Sequence, residues 1–237
     1  MFIHEQGGTG PLNLNKVNFF EADGAFTPTQ SGRYLVYRFS GGAGAGKYED
    51  GSNVAAGGSG LISVSLEELT AGVEYPVEVG EGGAGSSSPA TPAADGSATS
   101  FNGRTTPGGR GGTGTDLRDG GVGGSGGGDG TYIGVTGGGT GGVDGADGAN
   151  RGGPGTPGTG QGEGAFSGMI ALIDGLDQYM KPTEGAAHVN LAQGGQGIDV
   201  DWSGTQSSYT EYGSGGDVAS GTGEAGKGGF LFVYGPL

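Results

Sequence analysis

The sequence predicts an all-β fold combined with polyglycine-II helices. A small antiparallel β base, formed by N-terminal strands and the C-terminal strand, would carry a packed glycine bundle with protruding loops. Three observations predict it. Apolar runs of strand length fill the N-terminal third, one more apolar run closes the chain, and between them glycine is dense and frequently spaced by three. Glycine supplies 64 of the 237 residues, roughly four times its usual share of about 7%.

The strands come first. In Arg33-Tyr34-Leu35-Val36-Tyr37-Arg38-Phe39 nearly every residue is apolar or β-prone, the pattern of a strand covered on both faces. Residues 61–66 alternate, with Ile62, Val64 and Leu66 facing one way and Ser63 and Ser65 the other. Residues 73–79 alternate too, setting Val73, Tyr75, Val77 and Val79 against Glu74, Pro76 and Glu78. Period two with polar partners reads as half-buried strands. Proline cannot donate to a ladder, so Pro76 puts its strand at an edge or breaks it there. Residues 67–72 read as the turn between these two strands. The closing run, Phe230-Leu231-Phe232-Val233-Tyr234, has nothing near it in sequence to bury against. It is therefore expected to return and pair with the N-terminal strands. No segment sustains a helical period; 169–180 comes closest, but Gly175 interrupts it and Pro182 follows.

The glycine tract comes next. From Gly108 to Gly164 about half the residues are glycine, often spaced by three. Three residues per turn is the repeat of an extended, polyproline-II-like helix without internal hydrogen bonds. Its N–H and C=O groups must find partners on neighbouring helices, and bare glycine faces let those helices approach. Collagen would need an unbroken Gly-X-Y register and much proline. Here the register breaks at 115–119, 131–135 and after Ala149, and there are ten prolines. The breaks read as reversals between short helices. The chain thus divides into an arm and β base (1–104), a glycine bundle with loops (105–229) and a returning strand (230–237). Glycine helices resume at 194–197 and 213–229.

Composition excludes several functions. The chain has no cysteine and two histidines, which removes disulfide scaffolds, Cys-ligated metals and multi-His sites. A net charge of -15 repels nucleic acid and anionic lipid, so neither is an expected partner. The apolar runs are too short to cross a bilayer. The start lacks a basic and apolar leader, so synthesis in a cytosol without Sec export is expected.

The motifs are weak. Gly41-Gly42-Ala43-Gly44-Ala45-Gly46-Lys47 fits G-x-x-x-x-G-K, but Tyr48 replaces the magnesium-binding hydroxyl and Glu49-Asp50 would repel phosphate. It reads as a glycine helix leaving a strand. Asp129, Asp144, Asp147, Asp199 and Asp201 form neither an EF-hand nor a nonapeptide calcium array. His188 has no nucleophile elbow near it. No catalytic residue, cofactor or metal is expected. The loops at 116–119, 131–136, 164–193 and 198–212 carry Tyr132, Tyr179, His188, Trp202, Tyr209 and Tyr212. Aromatic side chains on rigidly held loops suit recognition, because they present area at low entropy cost. Capping the ends of the bundle is the competing reading.

The order of these elements carries a resemblance. Residues 31–46, then Val77-Glu78-Val79-Gly80-Glu81-Gly82-Gly83-Ala84-Gly85, Ser97-Ala98-Thr99-Ser100-Phe101-Asn102-Gly103 and the closing Gly226-Lys227-Gly228-Gly229-Phe230 resemble the glycine-rich domain of bacteriophage tail-fibre and receptor-binding proteins. The likeness implies a non-enzymatic virion protein, an adhesin whose loops bind the host surface, made in the host cytoplasm. It implies that 131–136, 164–193 and 198–212 form the tip. Its partners would be other virion proteins, through an arm at 1–23, and a host surface protein or glycan. A homotrimer is a further expectation. The alternatives are a head or tail decoration or fibre protein without receptor binding, a polyglycine-II ice-binding or extracellular adhesion protein, and a virion depolymerase.

Overall fold

The computed structural model of the chain describes residues 12–48, 56–88, 91–112, 170, 172–183, 194–220 and 222–237. The glycine tract at 113–169 and the loop segment 184–193 lie outside the described residues.

Three antiparallel sheets form the base. The central sheet runs β1 (Val17–Phe20), β13 (Phe230–Tyr234), β3 (Gly32–Phe39) and β5 (Ile62–Leu69). The C-terminal strand does return: β13 lies between β1 and β3, antiparallel to both. A second sheet runs β2 (Gly24–Phe26), β6 (Tyr75–Glu78), β7 (Thr99–Phe101) and β8 (Arg104–Thr106). A third runs β11 (Thr210–Tyr212), β10 (Ile198–Val200) and β9 (Met180–Pro182). The continuous apolar pattern of β3 and β13 has its cause here, because both faces of the central sheet are covered. Leu35, Tyr37, Phe39, Phe230 and Phe232 pack with Ile198, Val200 and Met180 of the third sheet. Tyr34, Val36, Leu231 and Val233 pack with Phe26, Val77 and Phe101 of the second.

Four expectations change. Residues 67–69 continue β5, and the turn starts only at Thr70. The β6 strand is interior rather than at an edge, yet β7 reaches only Val77 and Glu78, so the ladder stops short of Pro76 on that side. The serine face of β5 meets the second sheet instead of solvent. There Ser65 Oγ accepts from Arg38 Nη1 (2.9 Å) and donates to Glu67 Oε1 (2.7 Å). Arg38 and Glu67 form a buried ion pair, and Asn102 Nδ2 donates to Glu67 Oε2 at 2.8 Å. Burial lowers the Arg38 pKa, and the Glu67 charge opposes that shift. Finally, part of the predicted arm is base: Leu12 is buried and β1 is an edge strand of the central sheet.

Every described glycine segment is the continuation of a strand. Segments 40–46, 79–86, 107–112 and 213–218 leave β3, β6, β8 and β11; segments 56–61, 92–98, 194–197 and 222–229 enter β5, β7, β10 and β13. The bundle therefore begins at Ser40, well before residue 105.

Segment 40–46 is its axis. Ser40 and Ala43 donate to the carbonyls of Leu61 and Gly58 at 3.0 and 2.9 Å. Gly41 and Gly44 donate to Ser97 and Ala94, both at 3.0 Å. Gly42 and Ala45 donate to Lys227 and Glu224, both at 2.9 Å. Each neighbour is thus revisited after three residues, which is the repeat of a threefold helix and not of a strand. The same axis accepts from Gly109 and Gly112, from Gly83 and Ser86, and from Gly216. Six segments surround it, alternately antiparallel acceptors and parallel donors. The ring also closes on itself, through Gly58 to Arg110, Gly96 to Gly109, Ser97 to Glu81, Gly226 to Gly83, Lys227 to Ser214 and Gly60 to Gly213. Each bond adds only about 1 kcal/mol net, but a buried group left without one costs about 1–3 kcal/mol. From Gly41 to Ala45 every N–H and carbonyl of the axis is bonded, which avoids that cost.

Close approach dictates where glycine stands. A Cβ on Gly42 would lie under 3.0 Å from the Ser214 carbonyl, and one on Gly44 equally close to that of Ala84. Where a helix faces water the restriction lifts. In 107–112, Pro107 and Arg110 are exposed, Gly108 and Gly111 half-buried, and Gly109 and Gly112 buried. In 81–87, Glu81, Ala84 and Ser87 occupy the exposed third. Hydroxyls bridge sheet to bundle: Thr99 Oγ1 donates to Phe39 O and accepts from Gly80 N, both at 2.9 Å.

Candidate recognition surfaces

The strand-to-helix continuity gives the molecule two distinct ends. One is the sheet end. The other is the free end of the bundle, where β4 (Lys47–Tyr48) and β12 (Ala219–Ser220) pair in parallel. Tyr48 and Gly112 are the last described residues of segments heading toward the free end; Ala56 and Gly194 begin the segments coming back.

The candidate aromatic residues do not gather in one place. Tyr132 and His188 lie outside the described residues. The 198–212 loop, expected at the tip, turns at the sheet end instead. Its strand β10 enters the base from 194–197 and β11 leaves it toward 213–218, so the connection at 201–209 must lie away from the bundle.

Trp202, Tyr179 and Tyr212 cover the central sheet. Trp202 stacks on Phe232 with centroids 5.8 Å apart and planes at 3°, and Tyr179 stacks on Trp202 at 5.8 Å. Phe19 of β1 meets Trp202 edge-on at 5.2 Å and Tyr212 at 5.6 Å. The Tyr212 hydroxyl donates to Glu21 Oε2 at 2.7 Å. Burial and that carboxylate push its pKa above the ordinary phenol range. These rings wall the core at this end.

Tyr209 is placed differently. Its half-buried ring lies 4.6 Å from the Lys181 ammonium, a cation–π geometry on the outer side of the third sheet. Register brings Lys181, Asp199 and Glu211 side by side across β9, β10 and β11. Beside them runs an exposed hydroxyl-rich loop, Ser203 to Ser208, built on one carboxylate. Asp201 Oδ1 accepts from Ser203 N (2.9 Å) and Ser203 Oγ (2.5 Å), and Oδ2 from Ser207 N (3.2 Å). The Ser203 hydroxyl bond, first among these, holds the Asp201 carboxyl below its usual pKa. Gln206 sits at a positive φ of 56° in the loop. A pocket of about 340 Å³ opens nearby, lined by Ile170, Ile173, Asp174, Asp177, Met180 and Lys181 among others.

The phosphate-loop match finds no such role. The N–H groups of Gly41 through Ala45 are all donated to carbonyls of the bundle, so they cannot cradle an anion. Among the described residues no group of three or more His, Asp or Glu is placed to hold a metal, and no helix is long and apolar enough to cross a membrane.

A family model described as a glycine-rich domain matches residues 21–234. The chain belongs to the glycine-rich domain family. The match begins at Glu21, the partner of Tyr212, and ends at Tyr234, the last residue of β13. This glycine-rich domain thus takes in both outer sheets, the described bundle and all of the central sheet except β1. No curated protein matches the chain.

Proposed function

We propose that this glycine-rich domain is a non-enzymatic structural protein of a virion, a bacteriophage tail-fibre or receptor-binding adhesin. The observation that carries the reading is the hydrogen-bonded ring of six segments around 40–46, continuous with the strands of the base. Such a frame is stiff, and a recognition surface held on it would lose little entropy on binding. The sequence-level likeness to phage tail-fibre proteins supplies the biological setting. The sheet end would attach to the particle and the free end would meet a host surface protein or glycan. Residues 12–20 are folded into the base, so a docking arm on other virion proteins would be confined to residues 1–11.

The test is adsorption. The purified chain is expected to bind intact host cells and to slow adsorption of the phage that carries it. If it does neither, the adhesin role fails and a fibre or decoration role without receptor binding takes its place. Ice binding wants a flat, regular face, whereas the outward positions here carry Glu81, Asp95, Arg110, Glu224 and Lys227, all exposed.

A further inference from the structure

The open edges of the three sheets are not alike. The edge strands β1, β2, β8, β9 and β11 have three or four residues each. Two also carry features that discourage strand addition: Lys181 and Pro182 in β9 and Arg104 in β8. The β5 edge has eight residues, Ile62–Leu69, with no lysine, arginine or proline, and it pairs with β3 along its whole length. Among the described residues no strand pairs with its other side. Residues 63–66 are only half-buried. The Ser40 N–H donates to the Leu61 carbonyl at the head of this ladder. Antiparallel alternation then turns the backbone groups of residues 63, 65 and 67 toward β3, and those of Ile62, Val64, Leu66 and Glu68 outward.

We propose that β5 pairs with β5 of a second copy of this chain, antiparallel, about a twofold axis at Val64. This register sets Ile62 opposite Leu66 and Ser63 opposite Ser65, with Val64 opposite itself. Ile62, Val64 and Leu66 all belong to, or pack against, the core beneath the third sheet, so the pairing extends one apolar face across two molecules. Glu67 falls opposite Leu61, and Glu68 lies beyond the ladder, which ends there because Gly60 is buried in the bundle and donates to the Gly213 carbonyl. No carboxylate then faces another, which matters for a chain of net charge -15. Shifting the axis to Ser65 would instead set Ile62 against Glu68. The contact is isologous and closes at two copies, unlike the trimer that the tail-fibre likeness suggests.

Sedimentation or light scattering of the full chain tests this. The wild-type chain is expected at twice the mass of one chain, and Val64→Pro at the mass of one, because proline removes an outward N–H and no bond to β3. Circular dichroism checks that the variant is folded. Cross-linking gives a second reading that does not depend on proline being tolerated. The chain has no cysteine, so Val64→Cys is expected to form a disulfide-linked pair on mild oxidation. Glu68→Cys is not, since its two copies stand eight residues out of register, about 27 Å apart. A wild-type monomer at every concentration, a three-chain mass, a folded Val64→Pro variant still at two chains, or equal cross-linking of the two cysteine variants overturns the pairing. The adhesin reading is untouched by any of these results.

Discussion

The base and the bundle are built from the same strands, yet they are held by different forces. In the base, successive side chains point to opposite faces, and Phe230, Phe232 and Tyr37 are buried between sheets. In the bundle the chain turns by thirds, and Gly41, Gly42 and Gly44 are as buried as those aromatics with no side chain to bury. The base is stabilised mainly by apolar area, the bundle by complete pairing of backbone groups. A single chain can change from one to the other within a residue, at Ser40 or Thr99, where hydroxyls accept from the Leu61 and Gly80 N–H groups that neither pattern reaches.

This contrast makes the two regions sensitive to opposite substitutions. Phe232→Ala removes a ring at the centre of the base, stacked by Trp202 and Tyr234; it is expected to cost about 3–5 kcal/mol in denaturant titration. Gly42→Ala adds a single methyl to the axis, and it is expected to cost about 3 kcal/mol because the clash is with backbone and cannot be relieved by a rotamer. In an ordinary helix or strand the same exchange would stabilise. Its neighbour Ala43 is buried and fits; Ala43→Gly should cost only about 1 kcal/mol. If Gly42→Ala proves as mild as Ala43→Gly, the close packing of the bundle is wrong.

Smaller effects belong to the 201–209 loop. The Asp201 carboxyl has a folded pKa below its unfolded value. Its contribution to loop order is therefore complete above the ordinary aspartate range and is lost as pH falls through the lowered folded value. The Ser203 and Ser207 amide signals should shift over that acid window, and Asp201→Asn should remove the transition. The least effect is expected at Gln206, where glycine accepts the positive φ more easily; Gln206→Gly should leave stability unchanged or raise it by up to about 1 kcal/mol.

The sequence shows some of this and hides the rest for physical reasons. The strands β3 and β13, and their pairing, are legible because continuous apolar runs need cover on both sides. Period three is legible in the long tract, but the described bundle is drawn from short runs such as 40–46, 79–86 and 107–112, each adjoining a strand. That adjacency was the available signal, since Gly-rich runs flank nearly every apolar run. The third sheet was hidden because β9, β10 and β11 have three residues each, too few to show alternation. Ser63 and Ser65 read as a wet face because their partners across the interface, Thr106 for Ser63 and Arg38 for Ser65, stand far away in sequence. The position of 198–212 depends on which way β10 runs, which composition does not encode.

The central claim is that the glycine segments are threefold helices bonded to their neighbours, and amide hydrogen exchange tests it most directly. On the axis, the consecutive amides of Gly41, Gly42, Ala43, Gly44 and Ala45 should all be protected as strongly as those of β3 and β13. On the outer segment, from Gly80 to Ser86, protection should recur every third residue, at Gly80, Gly83 and Ser86, with Glu81, Gly82, Ala84 and Gly85 exchanging fast. Protection at alternate residues, as in an edge strand, or none along 40–46, would contradict it.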